Sequence, residues 1–580
     1  MFKKVMLFMI LMLSTSLFAP VSAQVQTEKF GALADAAQFF PSSTPVYFAI
    51  RTDGDYINTL NDIFVQIQER TVGTALSIPA NLDMVFNEIF DSDFQNDVAP
   101  WLGDFIAFGI FPMDLMTDYN YSNDKLEYGV IINITSRDSA TEFVNTFIVQ
   151  RVGDDIRQET GDDFTAFYAG DYDDTRFVIT DEYLIITNTD KLTPLASLQG
   201  SLFNAYAFED ALNPLPADSY NFIGYVDVAT LQSYISATRD YYYYRNQRFM
   251  DLLLVQAMGP IALAGYIENG NVLVIDTVFS AGNMIGMQQL GLSMSPDLTV
   301  TPEFANIIPS EAILAVHGVS PLASSEYFRD STLAVWRYLS GSEFNPEYDA
   351  QIEAWVNQGY VALGRVADAI FSNLTGLSLE RDFANWMSSD GVFFMRSNPE
   401  LDNPQFPIDL AFVSQVTDGA QSLESMRRLV RALPLALRSM GMRGVTFTET
   451  TLEGADALVI GIYGYEITNK PVLELVISAN KTVFAIGTPR AVADVLAGRT
   501  GGAFPASQAY ILPDANMVLY DNVTNALPLA RWIVAQSGAN SQRDLVERIV
   551  NLLGEGVIST TTLDNGTMVV RSAQILNLGR

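Results

Sequence analysis

Asp97-Val98-Ala99-Pro100-Trp101 stands just ahead of the apolar run Phe105 to Phe111, and Asp382-Phe383-Ala384-Asn385-Trp386 stands just ahead of the apolar run Val392 to Met395. Two of the chain's five tryptophans occupy these matching places. A fixed-spacing recurrence of this kind is the signature of a repeated structural unit, and its neighbours extend it. Gly129 to Ile134 leads through Ser136-Arg137-Asp138-Ser139-Ala140 into a helical pattern with Phe143, Val144 and Phe147. Leu410 to Val416 leads through Thr417-Asp418-Gly419-Ala420 into one with Leu423, Met426 and Leu429. In both, an Asp two residues before Ala is placed to cap the free N–H groups of the helix start.

The series continues in order. Tyr183 to Ile186 passes through Asn188-Thr189-Asp190-Lys191 into Leu192 to Leu198, and Val483 to Ile486 passes through Gly487-Thr488-Pro489-Arg490 into Ala491 to Leu496. Leu215-Pro216-Ala217-Asp218 matches Leu512-Pro513-Asp514-Ala515, and Glu268-Asn269-Gly270 matches Asp564-Asn565-Gly566. Asn-Gly between apolar runs predicts a tight hairpin in which both turn residues take positive φ. Phe40-Pro41-Ser42 before Val46 to Ile50 also resembles Ile308-Pro309-Ser310 before Ile313 to Val319. The reading is a tandem duplication, residues 24–298 and 299–580, with the boundary in the polar stretch Ser293 to Asp297. Strands, hairpins and helices mix without a βαβ rhythm, so the expected class is α+β, two duplicated units each with a mainly antiparallel sheet and packed helices.

These residues resemble a bacterial family known as DUF3352, a domain of unknown function. The resemblance rests on the Pro-plus-small turn before a strand, on Pro100-Trp101-Leu102-Gly103, and on the strand-to-helix passage through Asn188 and Thr189. It is expected to span nearly the whole mature chain. The second half keeps Trp386 but departs at Asn385, Met387 and Ser388. The resemblance implies an exported or envelope protein and supplies no catalytic residue.

The first residues point the same way. Met1-Phe2-Lys3-Lys4 is a basic n-region, Val5 to Phe18 is an apolar run, and Val21-Ser22-Ala23 offers small residues for cleavage, so residues 1–23 read as a signal peptide and the mature chain as beginning at Gln24. The apolar run is shorter than the roughly 20 residues of a membrane span, and no integral span is expected after cleavage. The expected location is extracytoplasmic, either secreted or in the periplasm or cell envelope.

The formal net charge is −34, and losing the two positive charges of Lys3 and Lys4 takes it to −36. That balance argues against nucleic-acid binding, which needs clustered Lys and Arg, and against docking on anionic lipid. With 49% hydrophobic and 11% aromatic residues the chain is a folded body with an acidic surface. It has no cysteine, so it must hold together outside the cytoplasm by core burial alone.

Chemistry is sparsely signalled. One histidine, His317, lies in the apolar run Ile313 to Val319 and reads as structural; no Gly-x-Ser-x-Gly elbow accompanies it. Asp53-Gly54-Asp55, Asp91-Ser92-Asp93 with Asp97, and Asp171-Tyr172-Asp173-Asp174 could gather oxygen ligands for calcium, but none has the spacing of a calcium loop, and they read as solvated turns. No catalytic, cofactor-binding or metal-binding residue is assigned, and no cofactor is expected. Arg239-Asp240-Tyr241-Tyr242-Tyr243-Tyr244-Arg245 cannot place all four rings on one helix face, which leaves Tyr241, Tyr242, Tyr243 and Tyr244 as a candidate surface for a protein or glycan partner. The leading functional reading is a non-enzymatic exported binding or scaffold protein. Two alternatives stand beside it: a carboxylate-pair hydrolase acting on polysaccharide or peptidoglycan, and a carrier of an apolar ligand. The oligomeric state has no sequence signal.

Overall fold

The structure is a computed structural model that describes residues 27–71, 83–84, 92–111, 127–152, 156–161, 163–168, 175–192, 200–231, 259–280, 299–318, 346–398, 407–439, 445–463, 471, 473–537 and 543–578. Two compact units divide the chain: Met1–Gly286 with Thr562–Ser572 and Leu578–Arg580, and Met287–Thr561 with Ala573–Asn577.

The first unit is built on β1 (Val46–Arg51), β2 (Leu102–Phe111), β3 (Glu127–Ile134), β4 (Arg157–Thr160), β5 (Thr165–Tyr168), β6 (Arg176–Ile179), β7 (Tyr183–Thr187), β8 (Phe222–Val226), β9 (Ile261–Glu268) and β10 (Val272–Phe279), with helices α1 (Gly54–Thr71), α2 (Arg137–Val152) and α3 (Tyr206–Leu212). Its strands lie in the order β4-β5-β6-β7-β3-β2-β1-β8-β9-β10, each pair antiparallel. Apolar side chains cover both faces. On one, Phe30, Leu33, Phe40, Phe208 and Leu212 from the N-terminal helical turns and α3 pack on Tyr47, Phe105 and Ile223. On the other, Val144 of α2, with Phe64 of α1 partly buried beside it, packs with Trp101 on Ile134, Phe177 and Leu184. A sheet buried on both faces has few exposed positions, which is why its strands read as near-continuous apolar runs.

The second unit has β11 (Ala312–His317), β12 (Met387–Ser397), β13 (Ile408–Val416), β14 (Val445–Leu452), β15 (Ala455–Ile462), β16 (Leu473–Ala479), β17 (Val483–Gly487), β18 (Met517–Asn522) and β19 (Leu553–Thr562), with α4 (Pro346–Thr375), α5 (Gly419–Ser439), α6 (Pro489–Leu496), α7 (Leu527–Ser537) and α8 (Arg543–Leu552); β20 (Met568–Leu576) is divided, residues 568–572 belonging to the first unit and 573–576 to the second. Its strands lie in the order β14-β15-β16-β17-β13-β12-β11-β18-β19. Over these nine strands, this is the order of the first unit from β4 to β9. The chain is thus α+β with antiparallel sheets, as its hairpin-rich sequence predicts.

The two tryptophans occupy like positions. Each follows one π-helical turn, Phe94–Val98 or Glu380–Ala384. Each ring is buried and donates its Nε1–H to the carbonyl four residues back, Trp101 to Asp97 at 2.6 Å and Trp386 to Asp382 at 2.5 Å. In each turn an Asp side chain accepts the backbone N–H four residues before it, Asp97 from Asp93 at 2.8 Å and Asp382 from Ser378 at 2.7 Å. The strand after each tryptophan then slips register, between Leu102 and Ile106 or between Met387 and Gly391. Gly103 sits in the first slip, where a Cβ would stand 2.9 Å from the Asn133 carbonyl oxygen, so only glycine fits the segment there. Ser388 is the corresponding residue after Trp386, and Gln415 stands where Asn133 does.

Two local expectations need correction. The cap of α2 is Ser136, whose Oγ accepts the Ser139 N–H at 3.3 Å, while Asp138 lies inside the first turn. Asp418 does cap α5, accepting from Ala420 and Gln421 at 2.9 and 3.0 Å, so the matching residues are Ser136 and Asp418, each two past the end of its strand. The hairpin turns also differ. Asn269 and Gly270 both have positive φ, 52° and 71°, as a two-residue turn requires. At the second site only Gly566 does, at 78°; Leu563 and Thr567 close a longer loop, and Asn565 Oδ1 instead accepts the Thr567 N–H at 2.9 Å. A third turn of the tight kind, Glu453-Gly454 with φ of 50° and 80°, joins β14 to β15 without an Asn to announce it.

Candidate functional site

The acidic turns are occupied by local backbone. Asp53 Oδ1 accepts the Tyr56 N–H at the start of α1, and its Oδ2 pairs with Arg51 Nε at 2.7 Å. Asp93 Oδ1 accepts from Asn96 at 2.8 Å. Among the described residues no group of three or more His, Cys, Asp or Glu is arranged to hold a metal ion. Asp91, Asp171 to Asp174 and Tyr241 to Tyr244 lie outside the described residues. Among the described residues no helix is long and apolar enough to cross a membrane.

What the structure does bring together is a set of buried charges. Four aspartates are buried among the described residues: Asp276, Asp382, Asp390 and Asp409. A buried carboxylate away from water is stable only with hydrogen bonds or a counter-charge, and each has them.

Asp276, in the middle of β10, is fully buried and takes the most complete set. Arg571 of β20 grips it with two prongs, Nε to Oδ1 at 2.8 Å and Nη2 to Oδ2 at 2.9 Å. The Tyr220 hydroxyl donates to Oδ2 at 2.8 Å and accepts the Ala217 N–H at 2.8 Å. Lys29 donates to the Leu215 carbonyl beside this group. Phe30 stacks on Tyr220, and Tyr266 meets it edge-on. Burial works against the Arg571 charge, yet the hydrogen bond and charge of Asp276 hold its pKa above the ordinary value. Burial, followed by the Asp276 charge, pushes the Tyr220 hydroxyl well above its ordinary range. Tyr220 thus donates to Asp276 as a neutral hydroxyl. Burial also lowers the Lys29 pKa, against the pull of Asp276 and Asp218.

In the second unit Arg396 of β12 is buried opposite Asp409 of β13. Its Nη2 is 2.6 Å from Asp494 Oδ2 on α6 and 3.4 Å from Asp409 Oδ2, and Thr488 donates to Asp409 Oδ1 at 3.0 Å. Burial opposes the Asp494 charge, but Arg396 and Arg499 hold its pKa below the usual carboxylate range. Asp409 Oδ2 is held by the Arg396 charge, with no aligned hydrogen bond of its own.

His317 sits in β11, fully buried, as the alternation of its strand allows. Its Nε2 is 2.9 Å from Asp390 Oδ1, a close contact that is not aligned as a hydrogen bond, and Asp390 Oδ2 accepts the Thr301 N–H at 2.9 Å. Burial opposes the Asp390 charge; contact with His317 and the Thr301 donor prevail and lower its pKa. No serine hydroxyl is hydrogen-bonded to this imidazole among the described residues.

Of these charges only His317 was singled out by sequence reasoning. Asp276, Arg396 and Arg571 carried a readable signal, a lone charge inside an apolar strand (Val272 to Phe279, Gly391 to Ser397, Met568 to Leu576). Which of them pair carried none, because Asp276 and Arg571 lie 295 positions apart.

The family model described as "Protein of unknown function (DUF3352)" matches residues 4–240. This is the family the Pro100 to Gly103 segment and its neighbours resemble; the match ends within the first half, short of the near-complete coverage expected. No curated protein and no solved structure matches the chain.

Proposed function

We propose that the chain is an exported, extracytoplasmic protein that binds or scaffolds a partner and catalyses no reaction. The observation that carries the non-enzymatic reading is the commitment of the buried acids. Asp276, Asp382, Asp390 and Asp409 are each engaged by an arginine, a histidine or a backbone or hydroxyl donor inside the fold. Such pairs serve the fold rather than a substrate. Export rests on Met1 to Ala23 as a leader. We also propose that residues 24–298 and 299–580 arose by tandem duplication. The like strand orders, the two tryptophan turns and the matched caps Ser136 and Asp418 support this. Tyr241 to Tyr244 remain the partner surface we put forward.

The test is to express the full chain, fractionate the cells, and sequence the N-terminus of the protein recovered outside the cytoplasm. A start at Gln24 is expected. A protein that stays cytoplasmic with Met1 in place overturns the export reading.

A further inference from the structure

We infer that the segment Thr562–Ser572, carried at the far end of the sequence, is a strap that locks the N-terminal unit, and that this unit therefore reaches its final state only when the last strand arrives. The compact unit that contains β1 to β10 also contains Thr562–Ser572. β20 pairs with β10, the strand that otherwise ends the first unit's sheet order. Arg571 then reaches Asp276, which is fully buried in β10, while the Arg571 side chain is 14% exposed.

The physical consequence follows from what Asp276 meets without the strap. Its remaining described donor is the Tyr220 hydroxyl, which is neutral. Lys29 is the other cation in the neighbourhood; its ammonium donates to the Leu215 carbonyl, and its charge is itself disfavoured by burial. One neutral hydroxyl does not compensate a buried carboxylate. So β10, with the Tyr220 loop and the Phe30 and Tyr266 rings around it, stays open to water until the guanidinium closes on it. The edge of β10 also presents unpaired N–H and C=O groups until β20 covers them. Both effects act on the same strand and are relieved by the same segment. A chain with a strap from position 571 cannot finish its first unit while its last residues are still being made or moved.

Two measurements on the full-length protein test this. In refolding from urea with pulsed hydrogen exchange, amides of 272–279 should gain protection in the same kinetic phase as those of 568–572. Protection of 272–279 in an earlier phase overturns the inference. In native-state exchange, Arg571→Leu should speed exchange across 261–279 at least tenfold and leave 408–416 and 483–487 within twofold. Asp276→Leu combined with Arg571→Leu removes both charges and should recover most of that protection. Unchanged exchange at 261–279 in Arg571→Leu, or an equal rise in both units, also overturns it. If Arg571→Leu does not fold, the refolding measurement on the unaltered chain decides alone.

Discussion

Arg571 and Asp276 are 295 positions apart and meet through two parallel hydrogen bonds of 2.8 and 2.9 Å, with the carboxylate fully buried. A two-pronged guanidinium–carboxylate pair is the strong form of a charge-assisted hydrogen bond, and its geometry is specific to arginine. Removing one member leaves the other charge in the core. Arg571→Met should therefore destabilise the protein by roughly 3–5 kcal/mol, and Arg571→Lys should be less harmful. The Asp276→Leu, Arg571→Leu double variant should lose less than Arg571→Met. Urea unfolding of the three variants checks the order; a double variant that loses as much as Arg571→Met would refute it.

The caps give a second test. Ser136 and Asp418 each supply an oxygen to free N–H groups at a helix start. Ser136→Ala and Asp418→Ala should each cost about 1 kcal/mol. Exchanging the two, Ser136→Asp with Asp418→Ser, should melt within a degree or two of the parent, since either side chain can cap. A swap as damaging as both alanines together would show that the two positions are not equivalent.

The turns separate in a third. Gly270 has φ of 71° in a two-residue turn whose neighbour Asn269 is also left-handed. Gly270→Ala forces a Cβ into that region at roughly 1–2 kcal/mol. Asn269→Val should be harmful too, being β-branched at positive φ. Asn565 does not take positive φ, so Asn565→Val should lose only the hydrogen bond to Thr567, about 1 kcal/mol. Thermal melting of the two valine variants should rank Asn269→Val as the worse.

Acid should act through Asp390. Its folded pKa lies below the ordinary carboxylate value. A group depressed in this way binds its proton more readily when unfolded. It therefore adds stability above its unfolded pKa of about 3.9, and that share is lost as pH falls through the lower folded value. Between about pH 5 and 2, stability should fall less steeply in Asp390→Asn than in the parent. Urea midpoints at stepped pH measure the slopes, and parallel slopes would contradict the assignment.

Calcium should matter little. Asp53, Asp93 and Asp97 already accept from Tyr56, Asn96 and Asp93 N–H groups. Millimolar calcium should leave the melting temperature unchanged. A rise of several degrees that survives high sodium chloride would mean binding to the native state.

Much of the fold was legible in the sequence because it is local. Trp101 and Trp386, the Asn269-Gly270 turn, and the passages from strand into α2 and α5 each express a backbone requirement within a few residues. Alternating and near-continuous apolar runs then set strand against helix. The local rules misassigned the cap of α2 to Asp138 and the φ of Asn565, where several short polar residues compete and the final geometry is chosen by the neighbouring strand.

What only the tertiary structure decided is the pairing of buried charges and the membership of the two units. A lone Asp in Val272 to Phe279 shows that a counter-charge is needed, but not whether it comes from Lys29 or from Arg571. Arg396 could be seen as out of place in its strand, whereas its choice of Asp494 on α6 depends on how that helix lies over β13 and β17. Sequence patterns act over one or two turns of chain. A buried ion pair is selected by three-dimensional packing, where the energy of leaving a charge alone exceeds any local preference.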